Sequence, residues 1–500
     1  MRKMIACILA IAMLFSMAAF AGAENADREY VEIEWYFHDG STSTAYEEVD
    51  AKVNEYFLEK LNTKMNVHHI ADYDTKMPTL ISSGQDLGII MFGTNLSYPI
   101  QAAREAFYPL DELLPEYAPK TYSLFSEQMW DGMRINGSIY GVPAWKDNCY
   151  IMSMYYNQDM ADELGIDVES YDFNVYTDLI PLFYEAKEKR DALHPEYADY
   201  PISGPRWGIF PYDFAIECFL DELLCCNITG LVEQGADGID PSQVYCLFET
   251  DDFRAYALQM QQLVEDGIYP YEAPADIWNS EKVFCWPGWG YVTIDEHMVS
   301  PDFVSTLYVP NIWWTDTGNL QTAGYAISSM CAHPDRAMEV LELLNTDTYV
   351  ATTMRFGIEG THWVRDEEGK ITFEGTINER RDVYYRWYGN EIGGMSAVEV
   401  PEINGGQAFI DLLHQYNDSA TLTDHLGFVF DTTNVSNEVA ACSNVYSEYK
   451  NNLQNGLYES QEETEAMLDE FLAKLQANGL DTLKTECQAQ IDAWTAAQAK

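Results

Sequence analysis

Six tryptophans carry the clearest chemical signal in this chain of 500 residues: Trp145, Trp207, Trp286, Trp289, Trp313 and Trp314. They stand in loop-like text beside Pro or Gly, as in Trp286-Pro287-Gly288-Trp289, and not in periodic helical runs. Flat aromatic rings stack on the apolar C–H faces of sugars, while carboxylates and amides read the hydroxyls. Polar neighbours suited to that task accompany them. Lys146 and Asp147 follow Trp145, and Arg206 precedes Trp207. The competing reading of each indole is an ordinary core residue. G-x-S-x-G, H-E-x-x-H, P-loop and G-x-G-x-x-G signatures are all missing from the sequence. No catalytic residue and no cofactor are therefore expected. With 81 acidic residues a glycosidase carboxylate pair stays open, since separation in space defines it. The nine histidines show no H-x-x-x-H spacing and the cysteines no C-x-x-C, so no metal site is expected.

Regular elements must position these groups. Val31 to Phe37 alternates apolar and polar residues and predicts a strand. Thr44 with Glu47 forms a capping-box pattern, and Val49, Val53, Phe57, Leu61 and Met65 a helical stripe. A strand over 66–70, a short helix to Ser83 and a strand over 87–92 continue a βαβαβ rhythm. That rhythm predicts a parallel sheet with crossover helices. Ligands of such sheets sit beyond the carboxyl ends of the strands, which nominates His38, Asp39, Thr94 and Asn95. Plausible helices cover 176–190 and 251–266. Further stripes mark three C-terminal helices: Val435 to Leu453, Met467 to Leu475, and Leu483 to Trp494.

One stretch, 135–159, has a fixed internal order. Asn136-Gly137 is a tight-turn dipeptide, a short strand runs to Pro143, Trp145 to Asn148 is polar, and a second strand covers 150–156. It resembles the crossing segment of extracellular solute-binding proteins of family 1, the maltose-binding-like components of ABC importers. The matching residues are Asn136 to Pro143, Tyr155 to Asp159 and Leu164 to Asp167. Phe107 to Leu114, Leu307 to Pro310 and Thr322 to Ser329 resemble further family segments. The C-terminal text, with LGFVFDTTNVSNEVAACSNVYSEY, resembles a subgroup of about 500 residues ending in a domain of unknown function. The resemblance implies an α/β fold of two periplasmic-binding-protein-like lobes (type II). Parallel-rich sheets would be flanked by helices, with a helical C-terminal extension. Lobe I would hold 24–146 and 307–328, and lobe II 147–306 and 329–500. Relatives commonly carry an acidic residue where Gly88 stands. The lobes would hinge and close on a captured solute.

Residues 1–23 read as a signal peptide: Arg2-Lys3, an apolar run from Ile5 to Phe20, and the small-residue site Ala21-Gly22-Ala23. Relatives with a lipid anchor carry a cysteine after that site. Here Cys7 lies inside the apolar run, so release or another tether is expected. The remaining nine cysteines are an odd number, read as mostly buried thiols. A net charge of −53 excludes nucleic acid and anionic membrane surfaces as partners. Three readings remain. The first is a monomeric, extracytoplasmic protein that delivers an oligosaccharide to the membrane permease of an ABC importer. The second is a secreted carbohydrate-active enzyme, and the third a peptide-binding protein of the same fold.

Overall fold

The computed structural model describes residues 28–38, 45–93, 95–204, 213–231, 238–272, 280–289, 305–373, 384, 394–401 and 406–498. Along the chain come β1 (Val31–His38), α1 (Tyr46–Leu61), β2 (Thr63–Ile70), α2 (Tyr73–Ser82), β3 (Ile89–Gly93), β4 (Gly141–Pro143) and β5 (Met152–Asn157). There follow α3 (Gln158–Leu164), α4 (Ile180–Leu193), β6 (Ile216–Leu220), β7 (Leu224–Asn227), α5 (Asp251–Glu265), β8 (Cys285–Trp289), β9 (Ser305–Tyr308), β10 (Trp314–Thr315) and β11 (Ala323–Ile327). Last are α6 (Pro334–Thr346), α7 (Thr348–Phe356), α8 (Gly406–Ser419), β12 (Thr421–Leu422), α9 (Ser436–Asn455), α10 (Gln461–Ala477) and α11 (Leu480–Gln498). The chain forms two units, 1–146 with 320–411, and 147–319 with 412–500.

The first unit is built on a sheet of order β2-β1-β3-β11-β4. β2, β1 and β3 run parallel, and β11 runs antiparallel to both β3 and β4. The alternation read in 31–37 becomes a strand that buries Ile33, Trp35 and Phe37. The stripe Val49, Val53, Phe57 and Leu61 is the buried face of α1, but Met65 belongs to β2. The N-cap of α1 is Ala45, which makes no side-chain cap bond, and Thr44 lies outside the described residues. Asn136 and Gly137 both take positive φ, 53° and 89°, and turn Arg134–Ile135 back on Ser138–Ile139. That is the expected two-residue hairpin.

Two close approaches fix glycines in this sheet. A Cβ on Gly141 or Gly324 would stand 2.5 Å from the Phe92 ring, so Phe92 packs only between residues without side chains. Gly88 has φ +55°, and a Cβ there would lie 2.1 Å from the Glu34 carbonyl oxygen. An acidic side chain cannot occupy that position in this backbone.

The second unit has a three-stranded antiparallel sheet with β5 between β8 and β9, and a β6–β7 hairpin. Its core joins α3, α4 and α5 to the C-terminal helices. Phe248 meets Phe471 edge-on at 5.1 Å and Tyr446 at 5.9 Å. Tyr446, Leu453, Phe471, Leu475, Leu483 and Cys487 share one buried cluster with Cys225, Phe253 and Met260. The last helices are therefore part of the second unit's core.

The expected lobe boundaries differ from those observed. Residues 307–319 lie in the second unit, because β9 pairs with β5 through Leu307 and Tyr155. Residues 329–411 lie in the first unit. There α6 starts at Pro334 as expected. Its Arg336 donates to the Leu61 carbonyl at 2.6 Å and to the Thr63 hydroxyl at 2.9 Å, both in that unit. A strand or helix goes with the unit that satisfies its hydrogen bonds and apolar face, and those partners are hundreds of residues away in sequence.

Candidate functional site

Parallel strands deliver their carboxyl ends to one edge of the first unit's sheet. Registers Phe37 with His69, Gly93 with Ala323, and Gly324 with Pro143 align the ends of β1, β2, β3 and β4 there. His38, half-buried, ends β1, with its ring edge-on to Tyr73 at 6.0 Å. Asn95, also half-buried, follows β3 by two residues. Trp145 follows β4. Its carbonyl accepts the Met395 N–H at 2.6 Å, and a Cβ on Gly394 would stand 3.1 Å from its own Cβ. The sheet rule thus brings His38, Asn95 and Trp145 to one edge, with half-buried Lys146 next in the chain. Asp39 and Thr94 lie outside the described residues. Trp145 is only 3% exposed, not an open platform.

In the second unit three stretches meet. The Asn148 N–H donates to the Asn417 side-chain oxygen at 2.9 Å, and the Thr315 hydroxyl donates to the Asn148 carbonyl at 2.6 Å. The Tyr150 N–H donates to the Trp314 carbonyl at 2.7 Å. β10 pairs with β12, and the Thr421 N–H donates to the Trp313 carbonyl. Half-buried Asp147 opens the first of these stretches. Such bonding ties 147–150, 313–315 and 417–421 to one another.

The indoles divide sharply within that frame. Trp286 is 1% exposed, on a strand, and packs on Tyr155 and Val283. Trp314 is buried with Ala215, Ile228 and Leu231. Both were expected in loops lining a site, and both are core residues. Pro287 and Gly288 made the text around Trp286 look irregular. Yet β8 is an edge strand, where proline is tolerated, and Gly288 is required because a Cβ there would meet Tyr155 at 2.4 Å. The Trp289 backbone pairs with Met152, and its side chain lies outside what the structure describes. Arg206 and Trp207 also lie outside the described residues. Of the described indoles nominated for the site, Trp313 is the half-exposed one. It stands edge-on against Tyr416 at 4.9 Å, and its N–H donates to the Ser419 hydroxyl at 3.3 Å. Its ring is thus held in one orientation while part of it meets solvent.

Asp316 was not singled out from sequence, and it stands three residues beyond Trp313. Its carboxylate accepts the Asn319 N–H at 2.8 Å and bonds with the Tyr150 hydroxyl and the Gly318 N–H. Burial, with the Glu217 carboxylate nearby, still pushes its pKa up to about 7. Glu217 in turn accepts from Thr423 at 2.6 Å and pairs with His425 at 3.0 Å. The pattern Asp-x-x-Asn is a turn signal, but only the folded surroundings raise the carboxyl so far. Its pKa lies above the unfolded 3.8. The group therefore favours folding most below pH 4, and this contribution is lost as pH rises through about 7. Asp316→Asn is expected to raise the melting temperature at pH 8 and to change it little at pH 4. Each tenfold difference in proton affinity is worth about 1.4 kcal/mol, so the rise from 3.8 to about 7 sets a ceiling of roughly 4 kcal/mol, which the half-buried state of the residue as a whole trims to on the order of 2 kcal/mol. Melts of both proteins from pH 4 to 8 check this, and a gain equal at both ends would refute it.

Among the described residues no group of three or more His, Cys, Asp or Glu is placed to hold a metal. Nor is any described helix long and apolar enough to cross a membrane.

Comparison with known proteins agrees with this architecture over most of the chain. Residues 424–496 match the family described as Domain of unknown function (DUF3502). The chain is 22% identical over 487 residues to a carbohydrate ABC transporter substrate-binding protein of Streptococcus pneumoniae serotype 4, covering 94% of this chain and 92% of the relative. Among solved structures it is similar to the N-glycan transport solute binding protein (NgtS) from Streptococcus pneumoniae. The TM-score is 0.76 at 21% identity, over 93% of this chain and 99% of the other. The same protein in complex with Man1GlcNAc gives a TM-score of 0.69 at 19% identity, over 93% and 99% of the two chains. The resemblance first drawn from the crossing segments therefore holds over nearly the whole chain.

Proposed function

We infer that this chain, which has the fold and full-length relationship of the substrate-binding proteins of ABC transporters, captures a carbohydrate and delivers it to an importer. The single observation that carries the reading is the alignment of 94% of the chain with a relative named as a carbohydrate ABC transporter substrate-binding protein. NgtS has been solved with Man1GlcNAc and with Man5GlcNAc. The fold supports an extracytoplasmic binding protein rather than an enzyme. We take an oligosaccharide as the ligand, since Trp313 offers a fixed, half-exposed ring for stacking. Asp316 follows it by three residues, and Asp147 opens the stretch that bonds to 314–315. On the other unit His38, Asn95 and Lys146 are the candidates at the sheet edge, while Trp145, 3% exposed, goes with the buried indoles. Export through the segment 1–23, which lies outside the described residues, and a monomeric state complete the proposal.

A thermal-shift screen across monosaccharides, N-glycan fragments, other oligosaccharides and peptides tests it. Ligand binding raises stability as RT ln(1 + [L]/Kd), about 2.7 kcal/mol at a hundredfold excess over Kd. The expected result is a shift with one oligosaccharide class and one-to-one binding without turnover. Stabilisation by peptides alone, or release of reducing ends from the sugar, would overturn the reading.

A further inference from the structure

The β6–β7 hairpin places Cys218 directly opposite Cys225, with the two sulfurs 3.4 Å apart. Cys225 uses both its N–H and its carbonyl on Tyr245, at 2.8 and 2.9 Å, on the other side of β7. Cys218 and Cys225 therefore form a pair that exchanges no backbone hydrogen bonds with each other. Side chains stand closest in such pairs, with Cα atoms about 4.5 Å apart. That spacing falls within the range a disulfide bridges. Cross-strand register, and not chance proximity on a surface, brings the thiols together.

We propose that Cys218 and Cys225 are joined by a disulfide when the protein folds outside a reducing compartment. The proposal rests on the extracytoplasmic reading only for where the bond forms, because oxidising compartments preserve disulfides and the cytosol does not. The chemistry is an exchange with a small-molecule or protein disulfide as oxidant. One thiolate attacks the oxidant and forms a mixed disulfide, releasing one thiol. The second thiolate attacks the protein's sulfur in that mixed disulfide and releases the other. Two S–H bonds are lost and one S–S bond forms. The two electrons reduce the oxidant disulfide to two thiols, which take up the two protons.

Timing follows from burial. Cys225 is 0% exposed and Cys218 half-buried, and burial pushes the Cys225 thiol far up. A protonated, enclosed thiol exchanges slowly, so the bond forms while the hairpin is still open. Once the hairpin is packed, the same burial shields the bond from reductants. This gives a structural crosslink and not a switch. The crosslink clamps the hairpin that presents Glu217 to Thr423 and His425.

The test is residue-resolved alkylation. Full-length protein is refolded from denaturant in a mixture of reduced and oxidised glutathione, denatured again without reductant, alkylated, and mapped by mass spectrometry. None of the nine described cysteines is in a disulfide in this structure. Cys218 and Cys225 are expected to escape labelling and the other seven to be labelled, with all nine labelled after reduction. In Cys218→Ser, Cys225 is expected to become fully labelled. Labelling of all nine without reductant overturns the proposal. So does protection of Cys225 in Cys218→Ser, which would mean a different partner. The experiment uses no carbohydrate and no cell compartment, so its failure leaves the binding reading standing.

Discussion

Trp286→Ala is expected to cost about 3–5 kcal/mol of folding stability, the range for emptying a buried aromatic site, with carbohydrate affinity unchanged in whatever still folds. The indole lies 1% exposed against Tyr155 and Val283. Gly204 leaves its space open, since a Cβ there would stand 2.6 Å from the ring. Its neighbours cannot collapse into the hole, because the flanking Tyr155 is held in the central strand β5 by partners on both sides. Denaturant unfolding of wild type and variant reads the loss, and calorimetric titration of the folded variant reads affinity. A stability change below about 1 kcal/mol with weakened binding would return Trp286 to the ligand site.

Trp313→Ala is expected to do the opposite. Stacking of an aromatic ring on a flat partner is worth roughly 1–3 kcal/mol, by analogy with base–aromatic pairs. Since about 1.4 kcal/mol is tenfold, affinity for the oligosaccharide found in the screen should fall tenfold or more. Stability should change little, because the ring is half-exposed and its hydrogen bond to the Ser419 hydroxyl is long, at 3.3 Å. Trp313→Phe keeps a ring face and should recover most of the affinity. A Trp313→Ala protein with wild-type affinity and lowered stability would remove the aromatic platform from the second unit.

These two tryptophans also mark what could be read from sequence. Local rules worked where the answer is local. Asn136-Gly137 gave its turn, Pro143 ended a strand, and Val49, Val53 and Phe57 gave a helix face. Gly456 ends α9 in the left-handed conformation, as a helix-stopping glycine should. The resemblance carried the two-lobed fold. Indole burial was not legible, because Trp286 and Trp313 sit in similar Pro- or Gly-rich or polar text and differ only in distant partners. The ownership of 307–319 and 329–411 failed for the same reason: β9 takes its register from β5, and α6 its anchor from Leu61 and Thr63. Asp316 needed the burial that the folded chain gives it, and to a lesser degree Glu217 some hundred residues earlier, to become unusual.

The core shared by the C-terminal helices with the rest of the second unit sets the order of assembly. One cluster runs from Met152 to Ile491. Its contacts close loops of hundreds of residues, and the cost of closing a loop grows with its length. A chain dominated by such long-range contacts folds slowly. The Val244 N–H donates to Gln488 in α11, and Tyr446 in α9 bonds with Glu222, so these polar groups of the unit's first half are not satisfied until α9 and α11 are in hand. Synthesis from the N-terminus can complete neither unit early, since the first waits for residues up to 411 and the second for those up to 491. The first unit can thus close once residue 411 is made, while the core of the second waits for residue 491.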